Sequence, residues 1–153
     1  MNVVTKPLTE LFLTRELAAP REQVYAAWTD PRQASRWWAP KGFRPLACEM
    51  DVRPGGAWRR EMRTPDGKLV VKHGLYREIV PPERLVFTYI TEHTGGVIDP
   101  ETLVTVTFAD LGDGRTRLTL RHSAFETETA RDDHRGGWTS ALDRFTAFLA
   151  GQA

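Results

Sequence analysis

Four histidines, three tyrosines and five tryptophans hold most of what this chain could use to move protons or grip a small molecule. His134 stands one helical turn before Trp138 and shares its inward side, and strand alternation turns His122 inward as well. Such a pair could transfer protons at the mouth of a cavity. The plainer reading makes both of them hydrogen-bonded edge or mouth residues. His73 falls opposite Tyr76 if its strand is regular, and His93 falls in a loop. Tyr76 and Tyr89 offer hydroxyls, and Trp58 and Trp138 offer indole N–H donors. Among charged residues, Arg15 interrupts an apolar strand face. Arg60 falls either between Trp58 and Met62 on an inward pattern or with Arg53 and Arg59 on a solvated outer face.

Metal and cofactor chemistry find no support in these spacings. Neither His-x-His nor His-Glu-x-x-His occurs, and the single cysteine, Cys48, allows neither a zinc knuckle nor an internal disulfide. Cys48 alternates with Leu46, Met50 and Val52, as a small buried apolar residue would. A phosphate loop, a dinucleotide fingerprint and a nucleophile elbow are all absent, and Gly55-Gly56 suits a hairpin better than a phosphate cradle. No metal and no cofactor are expected.

The elements that must position these residues fall in a clear order. Residues 1–8 read as a lead-in. Leu11, Leu13 and Leu17 recur at period two and predict a first strand. Pro20 suits the first turn of a helix carrying Val24, Ala27 and Trp28, which stops at Asp30-Pro31. Asp30 with Gln33 is a capping-box pattern for a second short helix that ends near Trp37-Trp38. One of these tryptophans should plug the end of the sheet and the other line a cavity mouth or a partner surface.

From residue 43 to 122 the period changes to two. Pro54-Gly55-Gly56, Thr64-Pro65-Asp66-Gly67, Pro81-Pro82-Glu83 and Gly112-Asp113-Gly114 mark turns, and residues 92–101 read as a longer loop. Gly74 inside a long strand suggests a bulge or sharp bend. Residues 126–150 then place Trp138, Ala141, Leu142, Phe145, Phe148 and Leu149 on one helical stripe. The expectation is an α+β domain over residues 9–153: strand, two helices, six antiparallel strands and a long C-terminal helix. One sheet face is apolar, and that helix is the element long enough to cover it.

Composition bounds the function. The chain has 153 residues, 41% of them hydrophobic and 27% charged, which is globular and needs no disulfide or metal for a core. Its 21 Lys and Arg nearly balance 20 Asp and Glu, so a net charge of +1 points to neither nucleic acid nor an anionic membrane. No stretch approaches the length of a membrane span, and the N-terminus lacks a secretion-signal pattern, so the cytoplasm is expected.

The ordered segments WTDPRQASRWWAP, DVRPGGAW, TPDGK, Gly74-Leu75-Tyr76, PPERLVFTY, TLVTVTFADLGDGRTRLTL and GGWTSALDRF resemble a known family. It is the AHSA-type domain family, named for the activator of a heat-shock protein's ATPase, of the START/polyketide-cyclase-like (SRPBCC) superfamily. The resemblance runs from about residue 11 to 149. It implies a helix-grip fold, a curved sheet wrapped around the last helix, with a pocket between them. The residues expected to face that pocket are Trp38, Trp58, Met62, Tyr76, Phe87, Tyr89, Val106, Phe108, Leu118, Leu120, His134, Trp138, Leu142 and Phe145. Such a pocket suits a small apolar or aromatic ligand. The scaffold also admits a cyclase- or hydrolase-like enzyme, and the family's name suggests a co-chaperone. The co-chaperones carry a further N-terminal domain, for which few residues are present here. Nothing in the pattern distinguishes monomer from homodimer.

Overall fold

The structure, a computed structural model, describes residues 9–151; the expected lead-in lies outside them. Strand β1 (Thr9–Leu17) is followed by helices α1 (Arg21–Thr29) and α2 (Pro31–Trp37). Six strands follow: β2 (Arg44–Met50), β3 (Ala57–Arg63), β4 (Leu69–Val80), β5 (Arg84–His93), β6 (Thr102–Gly112) and β7 (Arg115–Phe125). Helix α3 (Glu128–Ala150) closes the chain. The seven strands form one antiparallel sheet in the order β1-β7-β6-β5-β4-β3-β2. This is the helix-grip α+β architecture.

The order has a consequence. β1 and β2 are neighbours in sequence but lie on opposite edges of the sheet, so α1 and α2 must carry the chain across one end of it. They do so as a plug. Trp28 and Trp37 pack ring to ring at 4.7 Å, and Trp37 lies 4.5 Å from Phe145 of α3. The Trp37 indole donates to the Ala27 carbonyl at 3.1 Å, so its polar atom is satisfied inside the core.

Local chemistry differs from expectation at three places. Pro20 is the residue before α1, in extended conformation, not part of its first turn. Asp30 does cap α2, accepting from Arg32 N at 3.0 Å, but the reciprocal half of the capping box does not form. The Asp30 N–H already serves α1, donating to the Ala26 carbonyl at 2.9 Å, and Gln33 turns its amide onto the Asp30 carboxylate instead. The third concerns Gly74. The register shift in β4 falls after Tyr76, not at Gly74. A Cβ at Gly74 would meet the Thr88 carbonyl oxygen at 1.9 Å, and the same carbonyl accepts from the Trp58 indole at 3.1 Å. Glycine is required there for close backbone approach, not for a bend.

The segment after α2 is clamped to α3. Arg144 donates to the carbonyls of Ala39 and Arg36, and Lys41 N donates to Ser140 Oγ at 2.8 Å. These bonds fix Trp38 and Pro40 against the middle of α3. No helix among the described residues is long and apolar enough to cross a membrane.

Candidate functional site

The inner face of the sheet and α3 meet tightly at one end and part at the other. At the open end lies a cleft of about 630 Å³. Met62, Val70, Lys72, Tyr89 and Thr91 form its sheet wall. Ala130, His134, Gly137, Trp138 and Ala141 form its helix wall, with Trp38, Pro40 and Phe43 on one side and Phe125 on another. Glu126, Asp133 and His93 stand exposed at the rim, and Asp99 is held there by His93 at 2.8 Å.

Five of the fourteen expected residues line this opening: Trp38, Met62, Tyr89, His134 and Trp138. The other nine are buried elsewhere in the core. Trp58, Tyr76 and Phe87 form an aromatic row on the sheet, with Trp58 5.5 Å and Tyr76 5.9 Å from Phe87. Val106, Phe108, Leu118, Leu120, Leu142 and Phe145 fill the tight end. Lys72, Val70, Thr91, Phe43 and Phe125 line the cleft without having been anticipated. Three of them carried a signal, since Val70 and Lys72 share strand parity with Tyr76, and Thr91 with Tyr89.

Behind the cleft wall the hydrogen bonds of His122 fix its protonation. The Trp138 indole donates to His122 Nδ1 at 3.0 Å, so Nδ1 must present a lone pair and the proton sits on Nε2. His122 Nε2 then donates to Thr102 Oγ1 at 2.6 Å, and that hydroxyl donates to the Tyr89 carbonyl at 2.8 Å. Burial holds the imidazole well below its ordinary pKa, with His134 and Lys72 adding to the effect. Both nitrogens are engaged and the ring is fully buried, so His122 does not act as half of a proton-transfer pair. His134 is different. Its Nδ1 bonds the Ala130 carbonyl at 2.8 Å and its ring faces the cleft, 5.7 Å from Tyr89. Burial lowers its pKa too, with Lys72 contributing.

Lys72 projects from β4 toward the same space. Its ammonium donates to Thr91 Oγ1 at 2.9 Å and lies 5.2 Å from the Tyr89 ring centre. Burial lowers its pKa to about 8, offset in part by Asp99. Tyr89 is pushed far above the ordinary phenol range by burial, and remains a neutral hydroxyl.

Arg60 takes the inward of its two expected positions and does not join Arg53 and Arg59 outside. It is 5% exposed, with its guanidinium 3.2 Å over the Trp38 ring. Nη2 reaches Met50 Sδ at 3.7 Å, while Nε and Nη1 have no hydrogen-bond partner. Burial depresses its pKa, and Cys48, Tyr76 and Tyr89 partly restore it. Cys48 itself is half-buried, because β2 is an edge strand. No cluster of His, Cys, Asp and Glu among the described residues could hold a metal ion.

A curved antiparallel sheet gripping a long C-terminal helix, with a cleft opening beside that helix, defines a helix-grip protein of the START/polyketide-cyclase-like class. The chain belongs to the family described as Activator of Hsp90 ATPase homolog 1-like protein, whose model matches residues 18–150. Among solved structures it is similar to the AHSA1 protein from Silicibacter pomeroyi, with 26% identity and a TM-score of 0.84 over 95% of this chain and 100% of the other. A protein from Arthrobacter aurescens is 27% identical with a TM-score of 0.81, covering 98% of this chain and 93% of its own. One from Chromobacterium violaceum is 29% identical with a TM-score of 0.76, covering 90% and 94%. Among curated proteins, none matches the chain.

Proposed function

We propose that this protein binds a small apolar or aromatic molecule in the cleft between the sheet and the first half of α3. The observation that carries the reading is the cleft itself. At about 630 Å³ it falls within the range of small-molecule sites. Its walls carry Trp38, Phe43, Met62, Tyr89, Phe125 and Trp138, and a few polar groups converge among them: Lys72, Thr91 and His134. Aromatic walls with sparse polar anchors suit a ligand that is mostly apolar and held in one orientation.

Native mass spectrometry of gently purified protein is the test, followed by melting curves with a panel of flat apolar compounds. A co-purifying small mass, or a rise in melting temperature with some members of the panel, is the expected result. A clean apo mass together with unchanged melting across the panel overturns the reading.

A further inference from the structure

Among the described residues two cations, Arg60 and Lys72, sit inside the fold without an ion pair, and of the two Lys72 lines the cleft. On the outer surface several cations are paired: Arg59 with Glu61 at 3.0 Å, Arg115 and Arg117 with Glu16 at 2.7 and 3.2 Å, and Arg121 with Glu10 at 2.8 Å. Water would solvate these groups in any case. Lys72 is half-buried in an aromatic-walled cleft, where an ion pair matters far more, and among the described residues it makes none. Its hydrogen-bond partner is the Thr91 hydroxyl, and the face of Tyr89 lies to one side. An ammonium carries three donors, so this arrangement leaves part of its capacity turned to the opening. Buried charges in folded proteins are paired or neutralised.

We propose that the missing counter-ion belongs to the ligand, and that the cleft takes an apolar carboxylic acid whose carboxylate rests on Lys72 and Thr91. The proposal rests on the small-molecule reading above and names the class of ligand. Thr91 accepts from the ammonium through Oγ1 and still has its own hydroxyl proton to donate, so lysine and threonine offer one donor to each oxygen of a carboxylate. A doubly charged phosphate would need a second cation, and the cleft lining holds no arginine and no other lysine. Asp99, Glu126 and Asp133 at the rim set the direction of entry. A second negative charge there meets carboxylates, so a monoacid enters head first with its apolar part outward between Trp38, Phe43 and Trp138. Burial has already lowered the Lys72 pKa to about 8, and a bound carboxylate would raise it again.

The experiment is calorimetric titration of the full chain with 2-naphthoic acid and with 2-naphthalenemethanol, the neutral alcohol of the same ring. Wild type should prefer the acid by about tenfold or more. Lys72→Met should bind both compounds as wild type binds the alcohol, and Lys72→Arg should keep part of the preference. The acid's affinity should be level from about pH 6 to 7, where the probe is a carboxylate and Lys72 an ammonium, and fall through about pH 8 as the ammonium deprotonates, while the alcohol's stays flat. The other ionisable groups facing this space are Asp99, Glu126, Asp133, His93, His122, His134 and Tyr89. Of these, His122 and His134 are held below the imidazole range and Tyr89 above the phenol range, so none of these three accounts for that fall. Equal binding of acid and alcohol by wild type, or an acid preference that survives in Lys72→Met, overturns the carboxylate assignment and leaves the small-molecule site standing. If neither compound binds, nor any other member of the apolar panel, both readings fall together.

Discussion

Helix α3 runs along one sheet and makes two unlike contacts with it. Toward its C-terminus, Leu142, Phe145 and Leu149 are buried, Phe145 packs on Trp37 at 4.5 Å, and β1 lies alongside the helix. Toward its N-terminus, the inward positions carry Ala130, His134, Gly137 and Ala141, and the cleft opens beside Trp138. The backbone is equally regular in both halves. The difference lies in side-chain volume on one face of one helix, and it is matched across the gap. The tight end meets Val106, Leu118 and Leu120, whereas the open end meets Lys72 and Thr91. A close-packed half holds the frame still while the other half is left hollow.

Leucine and methionine of similar size test that division most directly. Leu142 is fully buried in the packed half and Met62 is nearly so, but Met62 borders the cleft. Leu142→Ala should cost about 4 kcal/mol in denaturant unfolding, because it leaves a new cavity in a filled region. Met62→Ala should cost about 2 kcal/mol, the low end for such a change, because its site already adjoins open space. Equal losses would mean that the two halves are packed alike.

The boundary between the halves is polar, and it should be sensitive to acid. His122→Leu strands the Trp138 indole and Thr102, and should destabilise by about 1–3 kcal/mol at neutral pH. The folded pKa of His122 is depressed, so its contribution is fully present above the unfolded value near 6.5 and is lost as pH falls below it. Wild type should therefore lose up to about 1.4 kcal/mol per pH unit in this window from His122 alone. The variant should show a correspondingly shallower slope. An unchanged slope would mean that His122 is not held neutral.

Period and turn chemistry made the frame legible before any coordinates. Strands, hairpins and the long helix all followed from alternation and from Gly, Pro and Asp at turns. The cleft was only partly legible, for two physical reasons. A hollow is a shortage of volume between two elements, and it shows only once their separation is known. Its one trace in the sequence is the run of small inward residues Ala130, Gly137 and Ala141. The second reason is local irregularity. Alternation through Leu118, Leu120 and His122 turns residue 124 inward, but Ala124 takes a φ of +70°, which shifts the parity and buries Phe125. The parity of Lys72 with Tyr76 was blurred by its context, since the adjacent Val70 and Val71 put apolar side chains on both faces of β4. Arg60 was legible as a position but not as a fate, because arginine seldom sits unpaired in a core.

That unpaired Arg60 bears on whether the wall behind Trp38 is built for stability. Its Nε and Nη1 lack partners, so its burial is a cost that stacking on Trp38 only partly offsets. Arg60→Met keeps the length and apolar bulk. It should be neutral or raise stability by about 1 kcal/mol. A clear loss would show that the cation holds Trp38 in place by more than its shape.

The smallest effects separate helix stiffness from cleft volume. Gly136 and Gly137 sit side by side within α3, where each loosens the helix relative to alanine. A Cβ at Gly136 would meet nothing within 4 Å, and at Gly137 its nearest contact would be Pro40 Cγ at 3.8 Å, an ordinary distance. Either change to alanine should therefore raise stability by about 0.5–1 kcal/mol in thermal or denaturant unfolding. Gly137 lines the cleft and Gly136 does not, so their effects on a bound ligand should diverge. Gly137→Ala narrows the space between α3 and Pro40 and should weaken a bulky aromatic ligand, while Gly136→Ala should leave its affinity unchanged. If both variants weaken binding alike, the helix must flex to admit the ligand, and the hollow half owes its function to mobility as well as to missing side-chain volume.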